Sequence, residues 1–116
     1  MFFRRRSIAE VDAATAYAWQ QSGEACLIDV REPFELEEAA ISGAISLPMS
    51  QVGLDSYPDF GAKKVVVVCH SGVRSARVAA ALAARGVPEV YNLRHGIVGW
   101  AGNRLPLAGA PGGSDA

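Results

Sequence analysis

The residues able to do chemistry are concentrated in one stretch, Cys69-His70-Ser71-Gly72-Val73-Arg74-Ser75, directly after four consecutive valines at 65–68. Four β-branched residues in a row resist a helix and suit a strand covered on both faces, so Cys69 is expected at the carboxyl end of a buried central strand. In open α/β sheets, ligands bind at such ends. A polar turn over 69–74 is expected to lead into a helix over 75–85, which is rich in alanine and leucine. A turn of this kind aims successive backbone N–H groups at one point, and the helix N-terminus adds partial positive charge. A cysteine in that field is favoured as the thiolate, the form that acts as a nucleophile. Gly72 permits positive φ, and Arg74 brings a fixed cation with several donors.

A cysteine beside four valines is usually a small buried hydrophobe. That reading is kept for Cys26, inside the apolar run at 26–30, whereas the polar turn and the arginine turn Cys69 towards chemistry. Cys69 is therefore the candidate nucleophile, with His70, Ser71, Gly72, Val73, Arg74 and Ser75 as the candidate binding loop. Arg74 is expected to bind an anion, and pairing with a nearby acid is its other reading. His70 suits an anion contact or a proton relay as well as a plain exposed position.

The elements that must position this loop alternate between apolar runs and helical segments, the pattern of a βαβ architecture with a mainly parallel sheet. Strands are expected over 7–11, 26–30, 43–48, 65–68 and 90–93. Asp12 is placed to N-cap a helix running through Gln20, and Gly23 ends that element. Pro33 starts a short acidic helix, whose Glu32, Glu35, Glu37 and Glu38 suit the positive end of its dipole. Residues 49–61 read as a loop or weak helix, Gly86 closes the helix after Cys69, and 97–100 is a short closing helix. Asp29 and Arg31, at the end of the second strand, are expected to form a structural ion pair.

The chain has 116 residues, half of them apolar, enough for one core without metal or disulfide staples. Residues 1–108 are expected to form that one domain, and 109–116, mostly glycine and small residues, a disordered tail. Eleven basic against twelve acidic residues leave a net charge of -1, so no nucleic-acid or membrane partner is expected. Neither cysteine lies in a C-x-x-C pair, and His70 and His95 lack zinc-like spacing, so no metal site is expected. The start Met1-Phe2-Phe3-Arg4-Arg5-Arg6 is followed by Glu10, Asp12 and Gln20 in place of an apolar leader, and two free thiols fit a reducing compartment; a cytoplasmic location is expected.

The stretch Cys69 to Ser75, preceded by its valine-rich strand, resembles the active-site loop of rhodanese-like single-domain sulfurtransferases. Leu27-Ile28-Asp29-Val30-Arg31-Glu32-Pro33 resembles that family's second-strand motif, and Gly43-Ala44-Ile45-Ser46-Leu47-Pro48 its third-strand region. Val90-Tyr91-Asn92-Leu93, with Gly96-Ile97 and Trp100, resembles its closing segment. The resemblance implies an α/β fold: a five-stranded parallel sheet of order 1-5-4-2-3 with helices on both faces. It also implies sulfur transfer from a small donor, thiosulfate or another persulfide, through a Cys69 persulfide to a thiophilic acceptor, cyanide or a thiol, including a protein thiol. No cofactor is implied.

Two departures stand out. The histidine that often precedes the family's third-strand Gly-Ala is absent from Ala40-Ile41-Ser42-Gly43, which bears on local packing or partner contacts more than on chemistry. His95-Gly96 stands where a Gly-Gly pair is common and is expected to narrow the approach to the active loop. Two other functions remain open at this level. A cysteine phosphatase or arsenate reductase also uses a Cys/Arg anion loop, but encloses one residue more than the four between Cys69 and Arg74. A non-catalytic binding or regulatory module would keep the fold without turnover.

Overall fold

The computed structural model describes residues 8–109. The expected tail beyond Gly109, the arginine run at 4–6 and the first residue of the expected opening strand, Ser7, lie outside the described residues. Among the described residues no helix is long and apolar enough to cross a membrane.

In chain order the elements are β1 (Ala9–Val11), α1 (Ala13–Ser22), β2 (Ala25–Asp29), α2 (Pro33–Glu38), β3 (Ala40–Ile41), β4 (Ile45–Ser46), β5 (Lys64–Val68), α3 (Val73–Ala84), β6 (Val90–Leu93), α4 (Gly96–Gly102) and β7 (Leu107–Ala108). The main sheet has the order β1-β6-β5-β2-β4, with every pair parallel. Counting only its own five strands, this is the expected 1-5-4-2-3.

The valine run is the middle of that sheet. Val65, Val66, Val67 and Val68 are all fully buried, and successive residues serve opposite faces. Val66 and Val68 pack with Leu27, Leu93, Ala13 and Ala16 of α1, and Ile97 and Trp100 of α4. Val65 and Val67 pack with Ile28, Val30, Cys69 and the α3 residues Val78, Ala79 and Leu82. Burying a valine is worth roughly 1.5–3 kcal/mol, against about 0–1 kcal/mol for a surface ion pair. The register of β5, and so the place of Cys69, is therefore set by burial. On the α1 side the ring of Trp100 meets Tyr17 edge-on at 5.7 Å, and its Nε1 donates to the Pro106 carbonyl at 2.9 Å.

Several element boundaries are as read from sequence. Asp12 caps α1 by accepting the Thr15 N–H at 2.7 Å, and Gly23 ends that helix at φ +81. Other elements differ. Helix α3 begins at Val73 and not at Ser75, so Arg74 and Ser75 lie in its first turn and the connecting turn is shorter than expected. The third strand shrinks to Ile45–Ser46, although Leu47 and Met49 extend its pairing through N–H bonds to the Asp29 and Val30 carbonyls. Strands β3 and β7 form an antiparallel pair that two-residue segments do not announce in a hydrophobic pattern, and Ala40, where the family's histidine is missing, pairs there with Ala108. Cys26 is only half-buried: β2 turns it to the α3-side face, opposite Ala25 and Leu27, and it lies at the margin of that core.

At the end of β2 the chain carries its buried ion pair. Arg31 grips Asp29 in a fork, Nη2 to Oδ2 at 2.8 Å and Nε to Oδ1 at 3.0 Å, with exposures of 4% and 1%. The same guanidinium donates to the Glu35 and Ala39 carbonyls at the end of α2, satisfying backbone acceptors that a helix terminus leaves open. Removing one partner of such a pair strands a buried charge. Arg31→Met is expected to lower unfolding free energy by about 3–5 kcal/mol, and Asp29→Leu combined with Arg31→Met to lose much less. Urea unfolding of the two variants measures the difference.

Candidate active site

Strand β5 delivers Cys69 to the edge of the core, where the chain turns through His70, Ser71 and Gly72 into α3. Gly72 sits at φ +111, a conformation open to glycine and strained for other residues, and it is the residue from which α3 starts. With the chain bent there, the Gly72 N–H donates to Cys69 Sγ at 3.1 Å, and the Ser75 hydroxyl lies 3.2 Å from the same sulfur. Cys69 is 1% exposed, so its sulfur forms the floor of the loop.

Burial works against a charged sulfur at this depth, and the donors around it prevail. The Ser75 hydroxyl and the backbone N–H groups of Ser75, Gly72 and Ser71 together hold the Cys69 thiol below its ordinary value. Cys26 shows the opposite balance: burial pushes its thiol up.

The loop can turn its N–H groups inward only if its carbonyls find donors elsewhere. Helix α4 supplies the donors: the N–H of Ile97 donates to the Cys69 carbonyl at 2.9 Å and that of Val98 to the His70 carbonyl at 3.2 Å. The contact is so close that a Cβ on Gly96 would lie 2.4 Å from the Cys69 carbonyl oxygen and 2.5 Å from that of His70. His95, just before it, adopts φ +62, which explains why glycine also suits that position; its side chain is exposed.

Of the six residues expected to bind around Cys69, Ser71, Gly72 and Ser75 converge on the sulfur. His70 and Val73 are exposed on the loop's outer side, Val73 at 67%. Arg74 is turned to an acid: Nη1 and Nη2 meet the two oxygens of Glu35 at 2.7 and 2.9 Å, joining α3 to α2. The pairing reading of Arg74 is therefore the one this geometry displays. Glu35 also accepts the Glu32 N–H at the start of α2, and the Arg74 guanidinium bonded to it holds its carboxyl down at about 2.

Two participants were not singled out from the sequence. In the sequence Glu35 is one acid among several in α2. Asn92 of β6 is buried, its Nδ2 donating to the Gly72 carbonyl at 3.0 Å and its Oδ1 lying 2.5 Å from Ser75 Oγ. Its signal was available, since a polar residue two places from Val90 shares the core-facing side of a strand. Among the described residues no three His, Cys, Asp or Glu side chains cluster as a metal site requires.

Residues 12–103 match the family described as rhodanese-like domain. A protein of Allochromatium vinosum named "Sulfurtransferase" is 36% identical over 86 residues, covering 74% of this chain and 80% of that protein. A "Thiosulfate sulfurtransferase GlpE" of Glaesserella parasuis is 30% identical over 103 residues, covering 87% of this chain and 94% of that one. Among solved structures, a rhodanese-related protein of Thermoplasma volcanium superposes with a TM-score of 0.78 at 28% identity, covering 87% of this chain and 98% of that chain.

Two substitutions test the geometry. Gly96→Ala forces a methyl into the Cys69 and His70 carbonyls and is expected to cost about 2–4 kcal/mol in urea unfolding while slowing alkylation of Cys69. For Glu35 the sign follows from its folded value lying below the ordinary carboxylate value, so its stabilising effect is present above the latter and lost on acidification. The stability advantage of wild type over Glu35→Gln is expected to shrink as pH falls from about 4.5 to about 2, read by urea unfolding at a series of pH values.

Proposed function

Since the chain belongs to the rhodanese-like domain family, we propose that its sulfurtransferase chemistry runs through Cys69, which takes sulfane sulfur from thiosulfate or a persulfide and passes it to cyanide or a thiol. The Cys69 thiolate attacks the outer sulfur of thiosulfate. The S–S bond of the donor breaks, sulfite leaves with the electron pair, and Cys69 is left as a persulfide anion. A thiophilic acceptor then attacks the terminal sulfur, and the bond electrons return to Cys69 as thiolate. This is covalent catalysis by an activated nucleophile, and it needs no cofactor.

The observation that carries this reading is the convergence of donors on one buried sulfur, with the Gly72 N–H at 3.1 Å and the Ser75 hydroxyl at 3.2 Å. Each hydrogen bond to a charged group is worth about 1.5–3 kcal/mol, so a few of them offset the burial of one negative sulfur. His70 and Val73 are exposed side chains of the loop and are the ones offered to a donor or an acceptor, a protein thiol included. Free Cys26 and Cys69 suit the reducing cytoplasm.

The phosphatase alternative finds less support, because the arginine such an enzyme directs at its phosphate here holds Glu35 with both terminal nitrogens. Intact-protein mass after thiosulfate, then cyanide, tests the proposal. Wild type and Cys26→Ser are expected to gain one sulfur atom and lose it to cyanide with release of thiocyanate, and Cys69→Ser to gain none. Absence of sulfur uptake from both thiosulfate and a persulfide donor would leave the non-catalytic binding module as the better reading.

A further inference from the structure

Asn92 makes no hydrogen bond to the sulfur, yet both ends of its amide are committed to residues that do. Its Nδ2 donates to the Gly72 carbonyl at 3.0 Å, and its Oδ1 lies 2.5 Å from Ser75 Oγ. Turning the amide over would set its oxygen against the Gly72 carbonyl oxygen, so the orientation is determined by its neighbours.

The Ser75 hydroxyl has one proton and two acceptors within reach, Asn92 Oδ1 at 2.5 Å and Cys69 Sγ at 3.2 Å. When the sulfur carries its own proton, the thiol donates to Ser75 Oγ and Ser75 donates to Asn92, so every group is partnered. When the sulfur is negative, the Ser75 proton turns to Sγ, and Asn92 Oδ1 is left facing a hydroxyl lone pair. Ser75 is fully buried and Asn92 is 5% exposed, so water offers little relief.

We propose that Asn92 is a positioning residue that holds the Ser75 hydroxyl proton away from Cys69 until the sulfur becomes negative, keeping the neutral and charged sulfur states close in free energy. The inference rests on Cys69 being the reacting group of the sulfur-transfer reading, but its test uses alkylation and needs no sulfur transfer. Failure of one is thereby separable from failure of the other. Among the described residues, the charged and titratable groups on the elements around Cys69 include Arg74 on α3 with its partner Glu35 on α2, the Asp29–Arg31 pair at the end of β2, His70 in the loop and His95 ahead of α4, and the variants below leave all of them in place.

The experiment is the pH profile of Cys69 alkylation by iodoacetamide, in a Cys26→Ser background so that one thiol reports. Ser75→Ala is expected to raise the midpoint. Asn92→Leu is expected to lower it by about half a unit to one unit, the size of a hydrogen bond that favours one protonation state. In the Ser75→Ala background, Asn92→Leu is expected to have no effect. Asn92→Ala carries the same expectations should the leucine variant fail to fold. A structural role through Gly72 alone would loosen the loop and raise the midpoint, or shift it equally with and without the Ser75 hydroxyl. Either result, or no shift at all, overturns the proposal.

Discussion

A peptide unit that points its N–H one way points its carbonyl the other, and the turn after β5 has to satisfy both. Its N–H groups can face the Cys69 sulfur because the N-terminal N–H groups of α4 donate to the opposing carbonyls of Cys69 and His70. Buried backbone acceptors without partners cost about as much as a lost hydrogen bond, so without α4 the loop would have to rotate those carbonyls towards solvent and lose the cradle. The requirement reaches down to one missing side chain, since only a residue without Cβ fits where Gly96 meets the loop.

The rest of the fold holds these two elements at that separation. Strand β5 brings Cys69 from the centre of the sheet, and β6 beside it leads directly into α4. The Asp29–Arg31 pair ties the end of β2 to the carbonyls of α2, and α2 in turn presents Glu35 to Arg74 at the start of α3. Charge is thus used along a chain of contacts from the sheet to the helix that carries Ser75, while apolar burial on both faces of β5 supplies most of the stability.

Much of this was legible in the amino-acid sequence. The valine run, the glycine in the turn and the alanine-rich helix after it are local signals, and they placed Cys69 at the end of the central strand, while the order of the sheet followed from the family resemblance of four motifs. What stayed hidden depends on contacts between distant residues. Arg74 and Glu35 lie 39 residues apart, and no local pattern says which of several acids an arginine will meet. Ser75 resembles a helix cap by type; its hydroxyl is instead drawn inward to the sulfur and Asn92, and the helix starts earlier, at Val73. Cys26 is half-buried where full burial was expected, because an apolar run does not reveal how near the margin of the core each of its residues falls.

The fork between Arg74 and Glu35 also bears on competition inside a crowded cell. A guanidinium already occupied by a carboxylate offers little to an incoming oxyanion, and its field is largely cancelled a short distance away. Phosphate and sulfate, abundant and strongly hydrated, would have to shed water in return for a few backbone N–H groups. With Arg74 neutralised by Glu35, the contacts the loop itself holds out towards the sulfur are uncharged N–H and O–H groups.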